Sequence, residues 1–252
     1  MNTPDKTFID IIFRKISSFN KLIVLGKNVK ELVFNLNEKY GYKQTTINQK
    51  PIDINHNPLP WFTYPAIEYL SQFDLSQKTI FEWGSGNSSL FFAKICKTIV
   101  SVESDKEWFN YVSQDLSENQ KIFLVEEEKF SDFIDEKSIK YDIIIIDSLR
   151  RYDCAVKAIN HLNEGGLIIL DNSDWHPNTS ELLRNSGNLI EVDMHGFGPI
   201  NSYSSTTSLY LHREFCFTPK ENLQPTYSKA AIRQISKYDY PFNKLDDLDP
   251  NT

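Results

Sequence analysis

From residue 79 onward the chain alternates short apolar runs with longer amphipathic segments, and few architectures accommodate that pattern. The runs at 79–83, 98–102, 121–125, 141–146 and 167–170 read as strands. The segments at 88–97, 106–116, 130–134 and 154–162 read as helices between them. Strand and helix alternating at these lengths predict a parallel sheet with right-handed crossovers and helices on both faces. Four consecutive isoleucines, Ile143 to Ile146, suit a central strand with neither face in water. Two further runs, 189–194 and 207–211, predict an antiparallel hairpin on the sheet edge. The expected fold class is α/β, a Rossmann-like, mainly parallel sheet.

The flanks read differently. Residues 7–40 place apolar side chains at intervals of three and four (Phe8, Ile12, Ile16, Phe19, Ile23, then Val29, Val33, Leu36), which predicts one or two amphipathic helices. Residues 1–30 hold six Lys/Arg against two Asp, so such a helix could touch an anionic membrane. The plainer expectation is that it packs over the main domain with its lysines in water. Residues 41–65 carry four prolines and the aromatics Trp61, Phe62 and Tyr64, and read as a connecting loop. Residues 216–252 are polar and irregular, with one short helix expected near 230–236. The expected domains are a helical cap and linker at 1–65, a main domain at 66–215 and a C-terminal extension at 216–252.

Composition excludes several classes. Hydrophobic content of 40% and charged content of 24% describe a folded globular chain and not a disordered one. No apolar run is long enough to span a membrane, and Asp10, Arg14 and Lys15 interrupt the N-terminal stretch that a secretory leader would need. Three well-separated cysteines, Cys96, Cys154 and Cys216, indicate neither a disulfide framework nor a zinc site, so the cytoplasm is the expected compartment. A net charge of −7 argues against general nucleic-acid binding.

Glycine is scarce: nine residues, where average usage gives about eighteen. Two of them, Gly84 and Gly86, fall in the loop after the first strand, Glu82-Trp83-Gly84-Ser85-Gly86-Asn87-Ser88-Ser89. Open α/β sheets bind ligands beyond the carboxyl ends of their strands, near the switch in strand order. Glycines let this loop turn and approach a ligand, Ser85 offers a polar contact, and Asn87 or Ser88 can cap the following helix. A dinucleotide fingerprint would place a third glycine at 89, where serine stands. The second strand ends in Glu103-Ser104-Asp105, where a carboxylate can accept both ribose hydroxyls. The third ends in Glu126-Glu127-Glu128, within reach of an adenine amine. Acids at these strand ends imply a nucleoside ligand carrying positive charge; the plain alternative is a set of solvated acids.

These residues resemble the class I S-adenosylmethionine-dependent methyltransferases over roughly residues 58–212. The resemblance rests on FEWGSGNSS (81–89), SVESD (101–105), YDIIIIDS (141–148) and GGLIILDNSDW (165–175). It implies a seven-stranded sheet whose last strand is antiparallel, with S-adenosyl-L-methionine as cofactor. By the same resemblance Glu82, Gly84 and Gly86 hold the methionine part and Glu103 takes the ribose. Ser85, Asn87, Ser88, Ser104, Glu126 and Asp147 complete the expected cofactor contacts.

Asp147 ends the fourth strand, and Asp171-Asn172 end the fifth. Two carboxylates and an amide form a hard oxygen set suited to Mg²⁺. The arrangement is similar to the metal-dependent catechol and caffeoyl-CoA O-methyltransferases, which implies a divalent cation on Asp147, Asp171 and Asn172. The alternatives are a methionine-amine contact for Asp147 and turn chemistry for Asp171-Asn172. Where those enzymes often carry a lysine, this chain has Arg150, followed by Arg151. Arginine is a poor base but a good clamp for an anionic group. His176 and His195 are further candidate bases, and Trp61, Phe62 and Tyr64 a candidate lid. The expectation is methyl transfer to a small-molecule acceptor through an oxygen nucleophile, with Asp147, Asp171 and Arg150 as the catalytic set. The paired arginines hint that this acceptor carries an anionic group. A nicotinamide-dependent reductase and a non-catalytic cofactor-binding module stay open as alternatives.

Overall fold

The structure, a computed structural model, describes residues 6–136, 138–222, 224–236 and 239. Three helices precede the sheet: α1 (Lys6–Glu38), α2 (Tyr42–Asn48) and α3 (Tyr64–Ser71). The alternating region follows as β1 (Thr79–Trp83), α4 (Asn87–Ala93), β2 (Thr98–Glu103), α5 (Lys106–Val112) and β3 (Gln120–Leu124). It continues as β4 (Tyr141–Ile146), α6 (Arg151–His161), β5 (Leu162–Asp171), α7 (Pro177–Arg184), β6 (Leu189–Phe197) and β7 (Ser204–His212).

The seven strands form one sheet in the order β3-β2-β1-β4-β5-β7-β6. The first five pair in parallel, while β7 pairs antiparallel with both β5 and β6. The last two strands form the antiparallel hairpin expected at the sheet edge, with β6 outermost and β7 flanked on both sides and buried. The serine and threonine side chains of β7 tolerate that burial because they are bonded: Thr207 Oγ1 donates to Asp171 at 2.6 Å and Ser208 Oγ to Asp193 at 2.5 Å.

The isoleucine run behaves as its pattern demands. Ile143 and Ile145 face Phe62, Leu70 and Phe92 on one side of β4, and Ile144 and Ile146 face Ala155 and Ala158 of α6 on the other. All four are fully buried, which stabilises the fold by about 1.5–3 kcal/mol per side chain. Burial on both faces fixes β4 at the centre, next to β1.

Four local expectations fail. Residues 41–65 are not loop throughout: α2 lies among them, and Pro65 sits in the first turn of α3, where proline starts a helix instead of breaking one. After β3 the expected helix is replaced by two 3-10 turns, Glu127–Lys129 and Ser131–Glu136. No helix forms near 230–236, where the described chain is irregular. Finally, α1 is a single helix, and among the described residues its side chains from 23 to 34 do not pack over the main domain. Its apolar side chains from Ile23 to Phe34 are exposed, and its C-terminal end meets α2.

Candidate cofactor and acceptor site

The chain leaves β1 toward β2 and β3 on one side, then crosses back to β4 on the other. That switch brings the carboxyl ends of β1 and β4 together, with Trp83 paired to Ile146. The glycine loop lies across this point. Gly84 has φ of +95°, and a Cβ there would stand 2.3 Å from the carbonyl oxygen of Asp147. Only glycine allows the β1 and β4 loops to touch in this way.

Glu82 does not face the cleft. It is fully buried, opposite Ser101 on β2. Its carboxylate accepts hydrogen bonds from Ser88 Oγ at 2.5 Å, from Ser101 Oγ at 2.7 Å and from Ser89 Oγ. Ser89 Oγ in turn accepts from the backbone N–H of Gly86 at 3.0 Å. The serine standing where a dinucleotide fingerprint has glycine is therefore the link between the loop and the buried acid. Burial pushes the Glu82 carboxyl up to about 7, against the lowering effect of its three serines.

Glu103 sits at the lip of the same loop. One carboxylate oxygen accepts from the backbone N–H groups of Ser104 and Asp105 at 2.8 and 3.0 Å. The other accepts from the N–H and the hydroxyl of Ser85 at 3.2 and 3.1 Å. Asp105 caps α5 through Trp108 N at 2.7 Å, and the Trp108 indole N–H donates back to Ser85 O at 2.5 Å. Trp108 thereby covers Gly86, stacked on Tyr111 with ring centroids 5.3 Å apart.

A cavity of about 200 Å³ opens here, lined by Lys50, Trp61, Ser85, Gly86, Trp108 and Asp147 among others. Asn87 and Ser88 also line it, and Asn87 Nδ2 ties the loop to Pro51 O at 2.6 Å. Glu126 is not part of this wall. Its side chain is 78% exposed and pairs with Lys129 at 3.8 Å.

On the acceptor side the structure redistributes the expected roles. Arg150 adopts a left-handed conformation at the start of α6, and its guanidinium pairs with Asp153 at 3.0 Å on the surface. Arg151 reaches the cleft instead: Nη2 meets Asp147 at 2.8 Å and Nη1 donates to Ser148 O at 2.5 Å. Asp171 is buried behind them, with Thr207 as its donor. Burial, and then the charge of Asp147, hold its carboxyl well above the usual range. Asp147 is raised by burial and partly restored by Arg151. His176 is shifted down by burial and by the Arg151 charge, and His195 bonds Thr206 Oγ1 at 2.7 Å.

The donor set does not fit the divalent cation expected on Asp147, Asp171 and Asn172. A guanidinium already faces Asp147, and Asn172 serves as the left-handed start of a 3-10 turn. Among the described residues no three His, Cys, Asp or Glu side chains converge as a metal site would require. Lys50 and Trp108 are site residues that the sequence motifs do not single out. Arg151 stands in the sequence only as the second of the paired arginines, and its reach to Asp147 comes from the turn between β4 and α6.

No family model matches the chain, and no curated protein sequence matches it. Solved structures do match. The O-methyltransferase TomG from Streptomyces achromogenes, solved with SAM, aligns at a TM-score of 0.51 and 13% identity over 59% of this chain and 78% of its own. An O-methyltransferase from Bacillus cereus, solved in complex with SAH, aligns at 0.51 and 14% over 60% and 80%. The fold is that of S-adenosylmethionine-dependent methyltransferases. An rRNA methylase from Streptococcus thermophilus also matches, at a TM-score of 0.46 and 14% identity over 59% of this chain and 95% of its own.

Proposed function

We propose that the chain transfers a methyl group from S-adenosylmethionine to an oxygen nucleophile on a small-molecule acceptor. One observation carries this reading: the cavity at the strand switch has the glycine loop on one wall and Asp147, held by Arg151, on the other. The residues present fit a cationic nucleoside, because Glu103 and Asp147 set carboxylates on either side of the loop's bare backbone. Glu103 would exchange its Ser85 hydroxyl bond for the ribose hydroxyls, and Gly84 and Gly86 would admit the methionine part against the backbone. When bound, the cofactor supplies an electrophilic methyl on a sulfonium that leaves as a neutral thioether.

Asp147 takes the acceptor's proton; burial raises its carboxyl above the ordinary aspartate range, which strengthens it as a base. Arg151 positions that carboxylate and balances its charge. Asp171 lies behind Asp147, and burial together with the Asp147 charge raises its carboxyl and favours its neutral form. Trp61 and Trp108 exclude water from the cavity they line. The clamp for an anionic group on the acceptor passes from Arg150 to Arg151 and Lys50.

Titration calorimetry with S-adenosylhomocysteine tests the cofactor reading. Wild type should bind, and Glu103→Ala should weaken binding about a hundredfold by removing two charge-assisted hydrogen bonds. Absence of binding by a folded wild-type protein would overturn the reading.

A further inference from the structure

The α1 helix is the largest feature that the site does not use. Its 33 residues span roughly 50 Å at 1.5 Å per residue. Along its described side chains Leu25, Val29, Leu32 and Val33 form a stripe at helical spacing, with each residue 49% exposed or more. Ile23, Val24 and Phe34, on other sides of the helix, are 56% exposed or more. An isolated exposed leucine needs no explanation, but seven large apolar side chains within twelve residues do.

Charge indicates what covers them. Residues 1–40 hold seven Lys/Arg and four Asp/Glu, a net of +3. The remaining chain holds twenty and thirty, a net of −10. The helix is therefore a basic arm on an acidic body. Lys21, Lys27 and Lys30 alternate with the exposed apolar residues, and no salt bridge engages them among the described residues. We infer that α1 is a docking element for the surface of an anionic lipid bilayer.

A lipid interface suits this helix better than a second copy of the chain. Either partner would cover the Leu25–Val29–Leu32 stripe, because Ile23 and Phe34 lie opposite it beside Lys27 and Lys30. Charge separates the two: a dimer seam brings two +3 arms together. At an anionic bilayer the lysines extend their stems along the surface and keep their ammonium groups at the phosphates. The acidic body is repelled by the same surface, so the protein is held with α1 against the lipid and the sheet away from it. Among the described residues no helix is long and apolar enough to cross a membrane.

Co-sedimentation of the full chain with vesicles tests this directly. The protein should pellet with mixed phosphatidylcholine–phosphatidylglycerol vesicles and stay in solution with phosphatidylcholine alone. Binding should fall as salt rises. Lys27→Gln with Lys30→Gln should weaken it more than tenfold, at about fivefold per lysine. Leu25→Ser with Leu32→Ser should abolish it while the thermal melt of the body is unchanged. Failure of folded wild type to pellet with anionic vesicles overturns the inference. So does equal binding to neutral vesicles, or concentration-dependent dimerisation in light scattering that the leucine variants remove without any vesicle binding.

Discussion

Arg150 and Arg151 are adjacent in sequence, yet the fold separates their roles, and that separation can be measured. Arg150→Ala breaks an exposed pair with Asp153 and should change stability by less than about 0.5 kcal/mol. Arg151→Ala strips a buried-side partner from Asp147 and should cost about 2–3 kcal/mol in urea unfolding. It should also open the carboxylates to metal. Electron paramagnetic resonance of added Mn²⁺ should show free ion with wild type and bound ion with Arg151→Ala, the binding being lost again with Asp147→Asn. Mn²⁺ held by wild type and released by Asp147→Asn would restore the cation to the site. Glu82 carries a second prediction at this scale. Its folded pKa of about 7 lies above the ordinary 4.5, so the folded state binds the extra proton. Stability from this group is full below about pH 4.5 and is lost as pH rises through about 7. Glu82→Gln keeps the size and the serine contacts without the charge. Above pH 7 it should be more stable than wild type, by roughly 2–4 kcal/mol. Below pH 5 the two melting curves should converge, and a constant difference across pH would refute the buried-acid account.

Among elements, legibility followed burial. The β1–β5 alternation was readable because strands buried on both faces leave long apolar signatures, as Ile143 to Ile146 do. The placement of β7 was not, because its sequence is mostly serine and threonine and its burial depends on partners on β5 and β6. The glycine loop was found from sequence, and Glu103 lies where the motif places it. The direction of Glu82 was hidden, since only the fold shows that Ser88, Ser89 and Ser101 close around it. Glycines at positive φ offer a test at this scale. Gly187 has φ of +86° and nothing within 4 Å of where a Cβ would stand, whereas the Cβ of an alanine at 84 meets Asp147 O at 2.3 Å. Gly187→Ala should cost about 1 kcal/mol of backbone strain alone. Gly84→Ala should cost at least about 3 kcal/mol, from strain plus separation of the β1 and β4 loops. Equal losses in thermal melts would mean that the loop contact contributes nothing.

For the whole molecule, the distribution of burial divides the chain into a body and an arm. Among the described residues, buried ones begin at residue 41 and run through the sheet to Phe217, joined across both faces of β1 and β4. None of the described side chains from residue 21 to residue 34 is buried. A helical stretch that buries none of its described side chains contributes little beyond its own propensity, which in water is marginal. Removing residues 1–34 should therefore leave the body's melting temperature within about 2 °C, since a shift of that size in a domain this large corresponds to less than about 1 kcal/mol. The cut spares Leu36, which is half-buried, and Tyr40, whose ring packs on Tyr64 at 4.8 Å. Binding of S-adenosylhomocysteine should be retained as well, because every residue lining the cavity lies between Gln49 and Asp147. A fall of more than about 8 °C would show that the arm carries several kcal/mol of tertiary packing. In that case α1 would be a structural part of the body, and its exposed apolar residues would need an intramolecular partner.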